Sequence, residues 1–128
     1  MSVKFKTVQR VNPQSTAIPP KYYAQAISNG ELTFEELTTI VATKSKLPFV
    51  DCYRVLLHLE ETMTHELQNG KVVRLGNIGS FQLGIISNGY ITEKQVTATT
   101  INNAKVNFRS GKRFKEMLKG LVYKKVNE

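Results

Sequence analysis

The stretch Leu67-Gln68-Asn69-Gly70-Lys71-Val72-Val73-Arg74-Leu75-Gly76-Asn77-Ile78-Gly79-Ser80-Phe81-Gln82-Leu83 decides the fold. A helix ends at Asn69-Gly70, because glycine takes the left-handed conformation that closes a last turn. Lys71–Leu75 follows as a short strand. Gly76-Asn77-Ile78-Gly79 then turns the chain, and Ser80–Leu83 starts a second strand. A turn this tight needs residues that tolerate positive φ, and Gly and Asn supply them.

Upstream, Thr33-Phe34-Glu35-Glu36 is a capping box, with a hydroxyl at the N-cap and a carboxylate three residues on. Leu37, Ile40 and Val41 follow at helical spacing, which predicts a first helix over Thr33–Lys44. Lys46-Leu47-Pro48-Phe49 breaks it, and a second helix runs from Phe49 or Val50 to Gln68. On a wheel of about 100° per residue, Cys52, Leu56, Leu59, Met63 and Leu67 share one stripe, flanked by Tyr53 and Val55. Arg54, His58, Glu61 and His65 fall opposite. The two helices, with their short connection, form a helical hairpin.

Downstream, Asn88-Gly89 is the strongest short hairpin signal in the chain. Thr92–Gln95 caps a single helical turn, and Val96–Ile101, β-branched and Thr-rich, reads as extended. Asn102-Asn103 is expected to turn, and Lys105–Phe108 to form a strand. Ser110 is the expected cap of a last helix, Gly111–Lys119, which Gly120 stops. At the start of the chain Val3–Val8 alternates as a strand does, Asn12–Pro20 is a Pro-rich loop, and Tyr22–Ile27 is a second strand. Leu121–Val126 reads as one more strand. Unpaired edges are a liability, so both ends are expected to pack on the same body, each a candidate partner for the other.

A chain of 128 residues with 41% hydrophobic content makes one domain with a modest core, and a dimer would let it bury more apolar surface. Eighteen Lys and Arg against ten Asp and Glu give a net charge of +8. That balance favours polyanionic partners, nucleic acid before anionic membrane, with simple solubility as the bland alternative. Cys52 is the sole cysteine, which excludes an intrachain disulfide and a Cys-based metal site. Met1–Val11 has no continuous apolar core, so no secretory signal is expected there. No apolar run approaches the length of a membrane span, and a reducing cytoplasm fits this composition.

Three segments together resemble the HU/IHF family of bacterial histone-like DNA-binding proteins. They are Glu36-Leu37 with Val41-Ala42, the hairpin Val72–Phe81, and Val106-Asn107-Phe108-Arg109-Ser110-Gly111-Lys112-Arg113-Phe114-Lys115. The resemblance covers residues 32–119 as an HU-like DNA-binding domain. Residues 1–31 are left as an N-terminal strand extension and 120–128 as a C-terminal strand. Such ends resemble a variant HU-like group of Bacteroides-type bacteria. The implied fold is α+β: a helical-hairpin base, a β-sheet saddle and a β-arm, in an intertwined homodimer with extra terminal strands. The implied partner is double-stranded DNA in the bacterial nucleoid, bound through phosphates and shape with little sequence specificity.

The expected arm, Gln82–Ala104, departs from the family pattern. It holds Lys94 and Glu93 but no Arg and no Pro, so it lacks both phosphate-binding charge and a wedge proline. Phe34 stands where the family has a Lys near the start of the first helix. By resemblance the DNA contacts fall on the body: Arg74, the turn residues Asn77 and Gly79, and Arg109, Lys112 and Lys115. Arg113 is an addition of this sequence. A helix start at this place would add amides that attract anions, and the alternative is a solvated basic face.

Other constellations point to no chemistry. His58, Glu61 and His65 stand at i, i+3 and i+7, but one helix without a partner motif reads as a solvated face rather than a metal site. Cys52 lies in the apolar stripe with no His beside it and reads as a core thiol. Tyr22, Tyr23 and Phe49 have the chemistry to stack on bases, yet such aromatics belong more often to a core. No catalytic motif stands out, and no cofactor, small-molecule substrate or membrane partner is implied. The expectation is a non-enzymatic, HU-like homodimeric DNA-binding protein. The rival is an HU-fold structural or protein-interaction module that has lost DNA bending.

Overall fold

A computed structural model describes residues 1–14 and 17–126, and the middle of the expected Asn12–Pro20 loop lies outside the described residues. In chain order the elements are β1 (Val3–Arg10), β2 (Lys21–Ile27), α1 (Phe34–Ser45), α2 (Phe49–Gln68), β3 (Val73–Leu75), β4 (Gly79–Ser87), β5 (Ile101–Ser110), α3 (Lys112–Lys119) and β6 (Tyr123–Lys125). They build an α+β fold with two three-stranded sheets, ordered β2-β1-β6 and β3-β4-β5.

The helical hairpin forms as its caps dictate. The Glu36 amide donates to Thr33 Oγ1 at 3.2 Å, and the Thr33 hydroxyl donates to the Glu36 carboxylate at 3.1 Å. Lys46 ends α1 in the left-handed region, at φ 58°, and Pro48 starts α2 at once. At the far end of α2 the Lys71 amide donates to Glu66 O at 3.2 Å and the Gly70 amide to Leu67 O at 2.9 Å. With Gly70 at φ 80°, this is the double-bonded helix ending that the quoted stretch predicts. Tyr53 ties the base of the hairpin together: its ring meets Phe34 edge-on and stacks on Phe49, with both centroids 5.6 Å away. Phe34 is therefore occupied in packing the two helices.

The alternation of β4 and β5 sorts side chains into two faces. Phe81 stands opposite Phe108 and Leu83 opposite Val106 on one face, while Ser80 opposes Arg109 and Gln82 opposes Asn107 on the other. The ring centroids of Phe81 and Phe108 are 5.0 Å apart, and Phe114 of α3 lies 6.1 Å from Phe108. This aromatic cluster fastens α3 to the apolar side of the sheet.

Beyond Ser87 the structure departs from expectation. Asn88-Gly89 closes no two-residue turn, and Gly89 does not take positive φ. Residues 88–100 instead form an excursion with two short 3-10 turns, Glu93–Gln95 and Ala98–Thr100. The expected extended run Val96–Ile101 is bent because its threonines bond their own backbone. The Thr100 hydroxyl donates to Thr97 O at 2.7 Å, and the Thr97 amide donates back to Thr100 Oγ1 at 3.1 Å. Asn102-Asn103 is not a turn but part of β5. The register skips Asn102 as a bulge, and its side chain donates to Asn88 Oδ1 at 3.2 Å.

The terminal strands pair. β1 runs antiparallel to β2 over seven residue pairs and parallel to β6, with Val3 beside Tyr123. The core of the single chain is thin, since Ala42 and Cys52 are its buried apolar residues among those described. The chain exposes 11152 Å², whereas a compact monomer of 14.4 kDa exposes about 6,800 Å². Leu59, in the middle of the α2 stripe, remains 37% exposed.

A candidate nucleic-acid interface on the second sheet

The three-residue strand β3 completes a row across the sheet: Arg74 stands beside Ser80, and Ser80 beside Arg109. Paired residues share a face, so both guanidinium-bearing side chains project from the polar side. The same face continues along the hairpin through Gln82 and Asn107 to Lys105, which stands opposite Gly84. Arg74, Lys105 and Arg109 are all exposed. Lys105 joins the expected cations on this face, although an arm ending at Ala104 leaves it just outside the expected set. Its signal is nonetheless in the sequence, since it lies an even number of residues from Arg109 on one strand.

The remaining cations sit on α3, which the β3–β4 turn holds in place. The Gly111 amide donates to Ile78 O at 2.7 Å and the Arg113 amide to Asn77 O at 3.0 Å. These bonds correct two expectations. Ser110 does not cap the helix, because Gly111 takes that position with carbonyls of the turn as partners. The Arg113 amide is already bonded, so the helix start offers anions less than its position implies. Gly111 is required there: a Cβ would stand 2.5 Å from Asn77 O. Gly79, at φ 157°, packs against the Phe108 ring, and a Cβ there would strike it at 2.7 Å. Gly79 is buried, so its place in the structure is to let the turn approach the sheet.

Asn77, Lys112, Arg113 and Glu116 line one shallow cleft, which brings three of the expected residues together beside a carboxylate not anticipated from the sequence. Lys112, Arg113 and Lys115 are exposed. The run Arg109–Lys115 therefore divides into two groups. Arg109 belongs with Arg74 on the sheet, and the other three cations belong to α3. Cations in the first turn of a helix are opposed by its dipole, and α3 has no acidic residue in its first turn to offset this.

Elsewhere the aromatic residues divide. Phe49 stacks on Tyr53 yet stays partly exposed, and Tyr22 and Tyr23 are exposed, contrary to the expectation that all three belong to a core. Cys52 is buried, as the stripe predicts. His58 and Glu61 lie on the solvent side of α2, 3.6 Å apart and largely exposed. Among the described residues no group of His, Cys, Asp and Glu is placed to hold a metal, and no helix is long and apolar enough to cross a membrane.

A helical hairpin joined to a three-stranded sheet, with a long β excursion and a final helix on the sheet's apolar side, defines an HU-type domain. The chain belongs to the family of HU domains fused to wHTH, Ig or glycine-rich motifs (HU-HIG), whose family model matches residues 1–125. A crystal structure of a candidate bacterial DNA-binding protein from Bacteroides vulgatus has a similar fold, with a TM-score of 0.70 at 16% sequence identity. The similarity covers 99% of this chain and 49% of that one, so this chain spans about half the length of its structural relative. No curated protein sequence matches the chain.

Proposed function

We propose that the chain is a non-enzymatic, HU-like DNA-binding protein that acts as a homodimer in the bacterial cytoplasm, at the nucleoid. It holds duplex DNA through phosphates and shape with little sequence specificity. The observation that carries this reading is the two-faced second sheet. Arg74, Arg109 and Lys105 share a face with Ser80, Gln82 and Asn107, while Phe81, Phe108, Leu83 and Val106 share the other. A duplex laid on the polar face meets cations and amide side chains, and the apolar face remains for α3 and a second copy. The contact residues are Arg74, Asn77, Lys105, Arg109, Lys112, Arg113 and Lys115, with Gly79 shaping the turn that carries Asn77.

The dimer is supported by the surface of the single chain. Its exposed area greatly exceeds that of a compact monomer, and Val55, Leu57, Leu59, Met117 and Leu118 are exposed. The terminal strands frame an HU-like domain at residues 32–119, in keeping with the Bacteroides-type variant group, and the β4–β5 hairpin is the counterpart of the family's arm.

Electrophoretic mobility shifts on linear, nicked and pre-bent duplexes at two salt concentrations test the reading. Binding that weakens steeply with salt and varies little with sequence is expected. Binding that is absent at low salt would contradict it.

A second reading has its own support. The far half of the hairpin carries Ile85, Ile86, Tyr90, Ile91 and Val96 exposed, with Lys94 and Glu93 cancelling in charge. Such a surface suits a protein partner better than phosphates, and a domain that uses it would bind protein and leave DNA unbent.

A further inference from the structure

The first sheet holds a concentration of charge that the second does not. Residues 1–27 and 121–126 carry Lys4, Lys6, Arg10, Lys21, Lys124 and Lys125 and no acidic residue, in a chain whose net charge is +8. The register sorts these cations. Lys4 pairs with Ile27 on one side and Lys124 on the other, Lys6 pairs with Gln25, Val8 with Tyr23, and Arg10 with Lys21. Five of the six cations therefore project from one face. The opposite face pairs Phe5 with Ala26 and Thr7 with Ala24, and Lys125 is its cation.

Two of the pairings set like charges directly across from each other, Lys4 beside Lys124 and Arg10 beside Lys21. Such pairs destabilise a sheet on its own. Among the described residues the ion pairs are His58–Glu61 and Lys71–Glu66, so no carboxylate on the sheet relieves this repulsion. A polyanion would.

We propose that this face is a second contact surface for duplex DNA, one that grips phosphates in addition to those held by the second sheet. The proposal rests on the DNA-binding reading above and extends its footprint. The Arg10 guanidinium lies 5.5 Å over the Tyr23 ring, which holds the charge on the face while the ring stays partly exposed. With five cations on the face, phosphates are its main contacts. Insertion into a membrane surface needs an exposed apolar stripe, whereas Val8 and Ile27 on this face are half-buried. β6 follows α3 directly, so the sheet is tethered to the helix that bears Lys112 and Lys115.

The test is the salt dependence of duplex binding by the full chain and by Lys4→Gln/Lys6→Gln/Lys124→Gln. The slope of log affinity against log salt should flatten by about 0.9 for each phosphate no longer neutralised, or roughly 2–3 units for three. The melting temperature should not fall, because a repulsive pair has been removed. A wild type that binds and a variant with unchanged affinity and slope would overturn this inference while leaving the DNA-binding reading intact. A wild type that fails to bind duplex would overturn both. Lysine acetylation of the wild-type protein gives a readout independent of any variant's folding. Duplex DNA should protect Lys4, Lys6, Lys21 and Lys124. Unchanged reactivity, or protection by anionic vesicles and not by duplex, would overturn the inference.

Discussion

The two halves of the β4–β5 hairpin are built from the same strands and differ in almost everything else. Near its base the strands alternate strictly, Arg109 and Lys105 share a face with Arg74 across the sheet, and the opposite face carries the packed rings of Phe81, Phe108 and Phe114. Toward its end the register slips by a bulge, the chain bends through two threonine-rich turns, and the charges reduce to Lys94 and Glu93. Ile91, at the end, is fully exposed. Phosphate contact therefore suits the base of the hairpin better than its end. Counterion release scales with the number of cations brought to phosphates, and the neutral end brings none to spare. That end has no proline wedge, and its exposed Ile91 has no surplus of cations beside it to anchor a duplex, so this domain is expected to bend DNA less than the arm-bearing members of the wider HU/IHF group.

The proposed dimer would present two hairpin bases to one duplex. Leu59→Asp tests that dimer and should have the largest effect. In the lone chain Leu59 is 37% exposed, and a carboxylate there would be tolerated. In a dimer core the same carboxylate would be buried without a partner, and both folding and association should be lost. Analytical ultracentrifugation with circular dichroism reads both; a folded wild-type monomer at micromolar concentration would remove the dimer from the account.

Next in size is the support beneath the α3 cations. Gly111→Ala would drive a Cβ into Asn77 O and displace the turn that caps the helix. It should cost on the order of 1–3 kcal/mol in stability, measured by urea unfolding. A variant of unchanged stability would show that the turn does not lock α3 to the sheet.

A subtler effect separates base from end by a single charge. Lys105→Ala removes a cation from the polar face near Arg109, while Lys94→Ala removes one from the far excursion. The first should flatten the salt slope by roughly one unit and the second should leave it unchanged. Equal effects would erase the distinction between the two halves.

Much of this arrangement is legible in local sequence chemistry. The N-cap at Thr33, the left-handed stop at Gly70 and the strand that begins near Ser80 each depend on neighbours within a few residues and form as the sequence implies, although the Glu36 carboxylate accepts from the Thr33 hydroxyl where a full capping box would engage the Thr33 amide. Where sequence and structure part, partners distant in sequence decide. Ser110 yields the α3 cap to Gly111 because the turn at Asn77–Ile78, more than thirty residues earlier, supplies the carbonyls. Asn88-Gly89 closes no hairpin because Thr92, Thr97 and Thr100 organise a longer excursion. The arrangement of cations is legible in part. Lys112 and Arg113 line one cleft with Asn77, a grouping that the family resemblance implies for Lys112 and Asn77, whereas the Arg74–Arg109 row and the Lys4–Lys124 pair depend on strand register, which a single sequence does not display.

On the proposed reading, DNA is held by the base of the hairpin and by α3, and not by the hairpin's end. The most direct measurement compares salt slopes of duplex binding for Lys112→Ala/Lys115→Ala and for a chain trimmed around Asn88-Gly89. The double variant should bind every sequence more weakly, with the slope flatter by roughly one unit for each phosphate left without its cation, and the trimmed chain should stay close to wild type. If trimming abolished binding while the double variant kept its affinity and slope, the claim would be contradicted.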